Sequence, residues 1–418
     1  MIRKVDKKNN FVSLFNPENG FYLRSGVIKN GKDTGVDPFM TSFPELIDVG
    51  IMGHCIHGRS GLCLKSGVQC YQDGIHSNKE NMTLENYKRL VAECKGKTFQ
   101  YALGGCGDVD QHEHFEEILK YTRENGIVPN FTSSGLGFTP EIVKLCKKYC
   151  GAVAISQYSR LKKILLRRIK EDLLRETPLN KKYIGCKDGL DEYLKNGWEP
   201  VSNPVTDTGY EYLELSYESN NYTYRAIKML LEEGVTTNIH YVLGNNSIDE
   251  AIERLKNNDF PSGINAVVFL LHKPIGLGKT DNCLKNDDPK VHEFFLLIDT
   301  EKFPFQIGFD SCSVPGLLNH TSDIDPDSID TCEGGRWSCY ITSDMKMLPC
   351  SFDNQALKWA YDISNDTIQN AWDSPQFEDF RNHFRNSCAG CENQRACKGG
   401  CPICRDIVLC SRKEKNLV

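Results

Sequence analysis

Short apolar runs alternate with amphipathic segments from residue 45 to about residue 310. The apolar runs are five to seven residues long and predict buried strands at 46–52, 99–103, 128–132, 152–156, 237–243 and 266–271. The segments between them, with apolar residues three or four apart, predict helices at 84–94, 112–124, 141–149 and 221–233, and another that begins at Ser247 with Glu250 as a capping box. Six strand–helix units in this order predict a parallel α/β sheet, closed or partly closed into a barrel.

Two stretches fall outside this alternation. Residues 1–44 predict a small β-hairpin preface, because apolar runs at 11–15 and 21–27 flank a turn that contains Pro17 and Gly20. The insertion at 157–220 opens with a segment, 160–176, in which Leu or Ile recurs every four residues among basic residues, and this pattern predicts a basic amphipathic helix. A long insertion at the ligand-binding end of a barrel is usually functional.

The overall composition is that of an average soluble protein, with 39% hydrophobic and 25% charged residues over 418 positions. The 50 basic and 56 acidic residues give a net charge of -6, which gives no indication of a nucleic-acid partner. The sequence has no run of about 18 or more apolar residues and no charged leader followed by an apolar run. We therefore expect a cytoplasmic protein with no membrane partner.

The 19 cysteines cluster in two places. Three of them, Cys55, Cys63 and Cys70, lie in a polar, glycine-rich loop directly after the first predicted strand. Nine more lie between Cys332 and Cys410. A chain this long does not need disulfides for stability, so this clustering indicates metal or iron-sulfur ligation under reducing conditions.

The three-cysteine loop has the number of thiolates that an iron-sulfur cluster with one open iron requires. A cubane cluster has four irons and thiolates are their usual protein ligands, so three thiolates leave one iron open for chemistry. A zinc site or three unrelated cysteines are the alternatives. The spacings of seven and six intervening residues match no C-x2-C zinc pattern.

Polar residues end the next three predicted strands. Gly104, Gly105 and Cys106 follow the second strand, Ser134 follows the third and Ser156 ends the fourth. Because the carboxyl ends of parallel strands meet at one edge of a sheet, we expect these residues to converge beside the cysteine loop. Several polar groups aimed at one place are what a nucleoside ligand requires.

The order of these features resembles the radical S-adenosylmethionine (SAM) superfamily, in which the loop after the first strand holds a [4Fe-4S] cluster. Gly104 and Gly105 match the Gly-Gly-Glu-like motif that takes the SAM amino group, with Cys106 in the place of the acid. Ser134 and Ser156 match the polar residues that end the third and fourth strands, the latter near the SAM ribose. The resemblance implies a partial (β/α)6 TIM-like barrel over residues 45–310, with the insertion at 157–220.

The C-terminal cysteines are similar to the SPASM extension of radical SAM peptide-modifying enzymes, which this resemblance places at residues 325–418. Such extensions bind two auxiliary [4Fe-4S] clusters. By position, one cluster would be held by Cys332, Cys339, Cys350 and Cys401. The other would be held by Cys388, Cys391, Cys397 and a later cysteine, either Cys410 or, as the alternative, Cys404. A double zinc module is the competing interpretation.

Two residues near the predicted barrel mouth are candidates for catalysis. Cys312 ends a strand-like run at 305–312, and a thiol there would donate a hydrogen atom to a substrate radical, as in peptide epimerases of the superfamily. A cluster ligand and an inert buried thiol are the alternatives for Cys312. Asp310 is a candidate base for a substrate proton.

The resemblance also implies a reaction and its partners. One electron cleaves SAM bound at the open iron, and the 5'-deoxyadenosyl radical abstracts hydrogen from a peptide or protein substrate. The product would be a thioether or carbon-carbon crosslink, an inverted α-carbon or an oxidised side chain, and a flavodoxin or ferredoxin would supply the electron. The alternatives are a radical SAM enzyme acting on a small metabolite and a non-catalytic iron-sulfur or zinc scaffold.

Overall fold

The computed structural model describes residues 1–59, 68–157, 222–324, 329–385, 388 and 390–411. Between them, it describes the backbone of residues 162–168, 198–200, 205–207 and 210–221. Cys63 lies outside the described residues.

The N-terminal segment forms a small antiparallel sheet. Its strands are β1 (Ile2–Asp6), β2 (Phe11–Phe15) and β3 (Tyr22–Arg24), and a ribbon of β4 (Ile28–Lys29) and β5 (Lys32–Asp33) follows. The predicted hairpin is the β2–β3 pair. Glu45 joins this sheet to the barrel, because its buried carboxylate accepts hydrogen bonds from Ser13 Oγ at 3.0 Å and from Tyr22 Oη at 2.5 Å.

The first half of the barrel follows the predicted alternation. Its strands are β6 (Leu46–Met52), β7 (Gln100–Gly105), β8 (Val128–Ser133) and β9 (Val153–Gln157), and its helices are α1 (Ile56–Arg59), α2 (Leu84–Cys94), α3 (Phe115–Glu124) and α4 (Pro140–Tyr149). Neighbouring strands pair in parallel, so that Asp48 lies beside Ala102. Thr83 caps α2, since its side chain accepts a hydrogen bond from Asn86 N at 3.2 Å.

The insertion carries an antiparallel sheet where a helix had been expected. Among the described residues its strands are β10 (Lys162–Arg168), β11 (Trp198–Pro200), β12 (Val205–Asp207) and β13 (Tyr210–Tyr217), and β13 pairs with the other three. The helix prediction at 160–176 was therefore wrong over 162–168, while 160–161 and 169–176 lie outside the described residues. Pairing with β13, in which aromatic or apolar residues alternate with Glu, outweighs the local four-residue period.

The second half of the barrel begins with α5 (Glu218–Glu232). It continues with β14 (Thr237–Leu243), α6 (Ile248–Asn257), β15 (Ala266–Leu271), α7 (Pro289–Thr300), β16 (Gln306–Phe309) and α8 (Val314–His320). The strand order β16-β15-β14-β9-β8-β7-β6 is parallel throughout. The predicted capping box was wrong, because Ser247 Oγ donates to Val242 O at 2.8 Å and makes no cap to α6.

The C-terminal segment continues the barrel sheet. It contains β17 (Ser338–Ile341), β18 (Lys346–Leu348) and β19 (Tyr361–Asp362), then α9 (Ile368–Trp372), α10 (Pro375–Arg385) and α11 (Gln394–Cys397). Strand β17 pairs in parallel with β6, which places Tyr340 beside Asp48, and β18 and β19 extend the edge in antiparallel pairs. Within the described part of the chain, no helix is long and apolar enough to cross a membrane.

Candidate functional site

The cysteine loop, residues 53–77 after β6, brings two of the three predicted cluster thiols to one glycine. A Cβ atom on Gly74 would lie 3.6 Å from Cys55 Sγ and 3.8 Å from Cys70 Sγ, so both thiols face the same point, where no side chain stands. Gly58 N donates a hydrogen bond to Cys55 Sγ at 3.1 Å, the kind of contact that sulfurs of iron-sulfur clusters receive. The described thiols therefore fit such a cluster.

The glycine loop, residues 104–108 after β7, packs directly on the cysteine loop. Gly105 and Gly107 have φ angles of +113° and +148°, which other residues rarely adopt. A Cβ atom on Gly105 would lie 2.4 Å from Met52 O, and one on Gly107 would lie 2.5 Å from His54 O. Glycine at both positions is what lets the two loops approach each other.

Cys106, the third residue of the glycine loop, is buried beside the cluster thiols. Its Sγ donates to Gln72 O at 3.4 Å. Burial, and next the neighbouring Cys70 and Cys55, raise the pKa of Cys106 to about 11, against a hydrogen bond with Ser77 that lowers it. Cys106 therefore keeps its proton at neutral pH and cannot supply the negative charge that an acid would bring to this position.

Asp108 brings a carboxylate to the glycine loop, and sequence reasoning missed it. Its Oδ1 accepts a hydrogen bond from Ser134 N at 2.9 Å, its Oδ2 accepts one from Ser134 Oγ, and His57 Nε2 lies 3.6 Å from Oδ2. Burial and the carboxylate of Asp110 raise the pKa of Asp108 to about 6. The predicted Ser134 thus positions Asp108. The signal was the acid that ends the glycine loop, two positions after the expected one.

Polar side chains of β8, β9 and β14 converge on the inner face of the barrel. His240 lies beside Ser156 in the parallel register, and Thr132 Oγ1 lies 3.2 Å from His240 Nδ1. Burial lowers the pKa of His240 to about 4, against the opposing effect of Asp310. The imidazole is therefore neutral at physiological pH and offers a hydrogen-bonding group to a polar ligand. The structure brings the predicted Ser156 here, whereas His240 gave no signal because β14 has the ordinary alternation of a half-buried strand.

Asp48 adds a carboxyl group to the same face, at the first strand. Tyr340 lies beside it in the register, and a Cβ atom on Gly50 would lie 2.4 Å from Tyr340 Oη. Burial, and next the carboxylate of Glu333, raise the pKa of Asp48 to about 7. Asp48 is therefore partly protonated at neutral pH, and it both donates and accepts hydrogen bonds.

A buried ion pair lies where β15 and β16 end. Lys273 Nζ donates to Asp310 Oδ2 at 2.5 Å and to Leu271 O at 2.9 Å, and Ser313 Oγ donates to Asp310 Oδ1 at 2.7 Å. Both oxygens of Asp310 are engaged, so the geometry gives no support to its predicted role as a base. Sequence reasoning missed Lys273, since a single lysine after a strand carries no pattern.

The inner thiol group, Cys312, Cys332, Cys350 and Cys401, lies beside this ion pair. A side-chain hydrogen bond with Cys401, and next burial, raise the pKa of Cys312. A Cβ atom on Gly334 would lie 3.6 Å from Cys332 Sγ and 3.5 Å from Cys350 Cβ. Burial and the charges of Cys332 and Cys401 raise the pKa of Cys350. This effect links the pair Cys332 and Cys350 to the pair Cys312 and Cys401. Four thiols from distant parts of the sequence therefore share one site.

Cys339 lies apart from the inner thiol group, although its sequence position had assigned it there. Burial raises the pKa of Cys339, and the ionisable side chains that act on it are Cys94, Asp48 and Arg381. The physical reason is strand alternation, because Tyr340 points to the inside of the barrel and the adjacent Cys339 points toward α2, which carries Cys94. The structure puts Cys312 in the place that the sequence gave to Cys339.

The outer thiol group, Cys388, Cys391, Cys397 and Cys410, lines a cavity of about 230 Å³. Burial, and next Cys388 and Cys410, raise the pKa of Cys397 to about 11, against a backbone hydrogen bond from Gly399. Cys404 is not among the lining residues, and its N donates to Cys401 Sγ at 3.3 Å, so it faces the inner thiol group. The geometry favours Cys410 over Cys404.

No three His, Cys, Asp or Glu side chains in the described ranges lie close enough together to hold a single metal ion.

Comparisons with known proteins agree with this geometry. Residues 332–393 match the family model of SPASM, an iron-sulfur cluster-binding domain. The fold is similar to that of Streptococcus suis SuiB bound to precursor peptide SuiA, with a TM-score of 0.56 and 15% identity over 87% of this chain and 73% of SuiB. It is also similar to that of anSMEcpe with bound AdoMet, with a TM-score of 0.54 and 16% identity over 89% and 91% of the two chains. A search of curated protein sequences gives no match.

The chain shares its fold with SuiB and anSMEcpe, and its C-terminal part contains a segment that matches SPASM. The predicted fold class is confirmed. In this fold, the cysteine and glycine loops follow the carboxyl ends of the adjacent parallel strands β6 and β7. The SPASM match includes some members of each thiol group, while Cys312 precedes it and Cys397, Cys401 and Cys410 follow it. The fold therefore completes both groups from outside the matched segment.

Proposed function

We propose that this protein is a radical SAM enzyme that modifies a peptide or protein. The observation that carries the proposal is the meeting of Cys55 and Cys70 at Gly74, with the glycine loop and Asp108 packed against them. The structural comparisons support it, because SuiB has been solved with S-adenosylmethionine and with the precursor peptide SuiA. A native anSMEcpe structure holds both AdoMet and a Cp18Cys peptide.

Cys55 and Cys70, with Cys63 as the third ligand, would hold the [4Fe-4S] cluster of this enzyme. When bound, the cluster supplies the electron that cleaves SAM, which yields the radical that takes a hydrogen atom from the substrate. The protein holds the reacting groups close together and excludes water and stray hydrogen donors.

The polar groups around the two loops would bind SAM. Asp108 offers a negative charge for the amino group, and its two hydrogen bonds from Ser134 fix its direction. Gly105, whose Cβ atom would lie 2.4 Å from Met52 O, keeps the glycine loop close to the cysteine loop, so that Asp108 stays beside the cofactor site. Ser156 and the neutral His240 offer uncharged hydrogen-bonding groups for a nucleoside.

The inner and outer thiol groups would each hold an auxiliary [4Fe-4S] cluster. Four thiols from each group would leave no iron open, which suits a carrier of electrons. In this proposal Cys312 is a cluster ligand and not a hydrogen donor, because the residue is buried and its thiol is hydrogen-bonded to that of Cys401.

The remaining assignments follow from the proteins to which this fold is similar. The substrate is a peptide or protein, the product is a crosslink, an epimer or an oxidised side chain, and a flavodoxin or ferredoxin supplies the electrons. The enzyme works in the cytoplasm, the reducing compartment in which free thiols persist.

The decisive test is anaerobic formation of 5'-deoxyadenosine from SAM, after cluster reconstitution and reduction with dithionite. Wild-type protein is expected to form it, and a Cys55→Ala/Cys70→Ala double variant is expected to form none while it keeps the iron of the two thiol groups. Cys146→Ala, which removes a buried thiol from α4, is the matched control and should behave as the wild type. A fully reconstituted wild type that leaves SAM intact would refute the proposal and favour a non-catalytic scaffold.

A further inference from the structure

The Lys273–Asp310 ion pair lies deep between the barrel and the SPASM domain. The side chain of Lys273 is 2% exposed and that of Asp310 is 17% exposed, with Nζ and Oδ2 at 2.5 Å. Removing two charges from water is costly, and the attraction between them does not always offset that cost. A lysine in this position is therefore poorly explained by stability alone.

The surroundings hold the ammonium group in one place. Besides Asp310, Lys273 Nζ donates to Leu271 O at 2.9 Å and lies 4.5 Å from the centroid of the Phe352 ring. Phe352 packs against Tyr71, with ring centroids 4.9 Å apart, and Tyr71 directly follows Cys70. The charge is thus fixed between the cysteine loop and the SPASM domain, in the part of the molecule where two clusters would lie.

Asp310 links Lys273 to the inner thiol group. Asp310 directly precedes the turn that carries Cys312. Ser313 closes this turn, because its Oγ donates to Asp310 Oδ1 at 2.7 Å and its N donates to Asp310 O at 2.9 Å. Although burial alone would lower it, Asp310 and next Cys312 raise the pKa of Lys273, and Cys401 adds to this effect. Through Asp310, the ammonium group is therefore tied to the turn that carries Cys312.

We propose that Lys273 raises the reduction potential of the cluster bound by the inner thiol group, and that Asp310 fixes the direction of its ammonium. The inference rests on the proposed function, because it requires that cluster. A cluster that gains one electron becomes more negative by one charge, and a fixed positive charge in a low-dielectric interior stabilises the reduced state. Salt screens a buried charge only weakly. The inner cluster would thereby become a better acceptor of electrons than it would be with an uncharged residue in place of Lys273, while the Asp310 carboxylate opposes part of this effect.

The test is a redox titration of the reconstituted full-length protein, monitored by electron paramagnetic resonance, with dithionite as the reductant. The signal that disappears in Cys312→Ala identifies the inner cluster. Lys273→Met is expected to lower the potential of that signal and Asp310→Asn to raise it, with the other signals unchanged. A purely structural role would move both variants in the same direction. Lys285→Met removes an exposed lysine and is the matched control, with no expected shift.

The outcomes separate this inference from the proposed function. If Lys273→Met keeps its iron and the inner potential stays at the wild-type value, the inference is refuted and the proposed function stands. If Lys273→Met does not fold, an unchanged potential in Asp310→Asn refutes the inference equally. A wild type without any signal that depends on Cys312 refutes the auxiliary cluster itself, and the inference with it.

Discussion

The cysteine loop and the inner thiol group bring sulfurs together in opposite ways. In the cysteine loop, Cys55 and Cys70 are half-buried, and their sulfurs both lie within 4 Å of the position that a Cβ atom on Gly74 would take. In the inner thiol group, Cys312, Cys332 and Cys401 are buried and Cys350 is half-buried, and the free thiols of Cys312 and Cys401 are hydrogen-bonded to each other. An open site allows a ligand to reach the metal, whereas a closed one protects a carrier of electrons. The exposure of the thiols, more than their number, distinguishes the two regions.

The cysteine loop depends on the close approach of the glycine-loop backbone. Gly107→Ala tests this approach and has the largest expected effect on activity. The new Cβ atom would lie 2.5 Å from His54 O at a φ of +148°, so the glycine loop would move away from the cysteine loop. We expect 5'-deoxyadenosine formation to fall by about 100-fold or more, since displacements of about 1 Å cost that much. Gly96→Ala is the control, because Gly96 also has a positive φ, +73°, but its Cβ atom would meet nothing within 4 Å. Equal activity of the two variants would contradict the contact.

The closed region depends on which cysteines belong to it, and a pair of variants decides this. Cys312→Ala is expected to lose about four irons per chain, the content of one cluster, and the matching signal in electron paramagnetic resonance. Cys339→Ala removes an equally buried thiol from β17 and is expected to keep all its iron. Iron and sulfide analysis after reconstitution gives the answer. Loss of iron from Cys339→Ala alone would restore the assignment made from sequence.

Sequence reasoning could predict the features that local patterns determine, and it missed those that depend on contacts between distant parts of the chain. The strands and helices of the barrel, the cysteine loop and the glycine loop are local patterns, and the structure has them nearly where they were predicted. Membership of the inner thiol group is not local, because Cys312 reaches it across the fold while strand alternation turns Cys339 away. The strand at 162–168 was likewise decided by its distant partner, β13. Asp108 was the one missed residue with a visible local signal.

Single charged or titratable residues inside the barrel form the class that sequence reasoning could not reach. His240 and Lys273 acquire their properties from burial and from partners on other strands, such as Thr132 and Asp310. Neither residue belongs to a motif with fixed spacing. Their chemistry follows from the three-dimensional site, which explains why candidate cluster ligands were easier to propose from the sequence than the groups around them.

The smallest expected effect is that of His240 protonation, inside the barrel, on the free energy of unfolding. Burial lowers the pKa of His240 from 6.5 to about 4, so the unfolded chain binds a proton below pH 6.5 that the folded protein does not accept until about pH 4. The stability that the neutral imidazole contributes is therefore complete above pH 6.5 and is lost as the pH falls toward 4.

His240→Asn keeps a polar group beside Thr132 but does not titrate. Between pH 7 and pH 5, we expect the wild type to lose about 1 to 2 kcal/mol more unfolding free energy than this variant. Anaerobic urea unfolding of both proteins at each pH measures the difference, in which the contribution of the clusters cancels. Parallel pH profiles would show that His240 is protonated in the fold as readily as in the unfolded chain, and the interior of the barrel would then be as open to water as the cysteine loop.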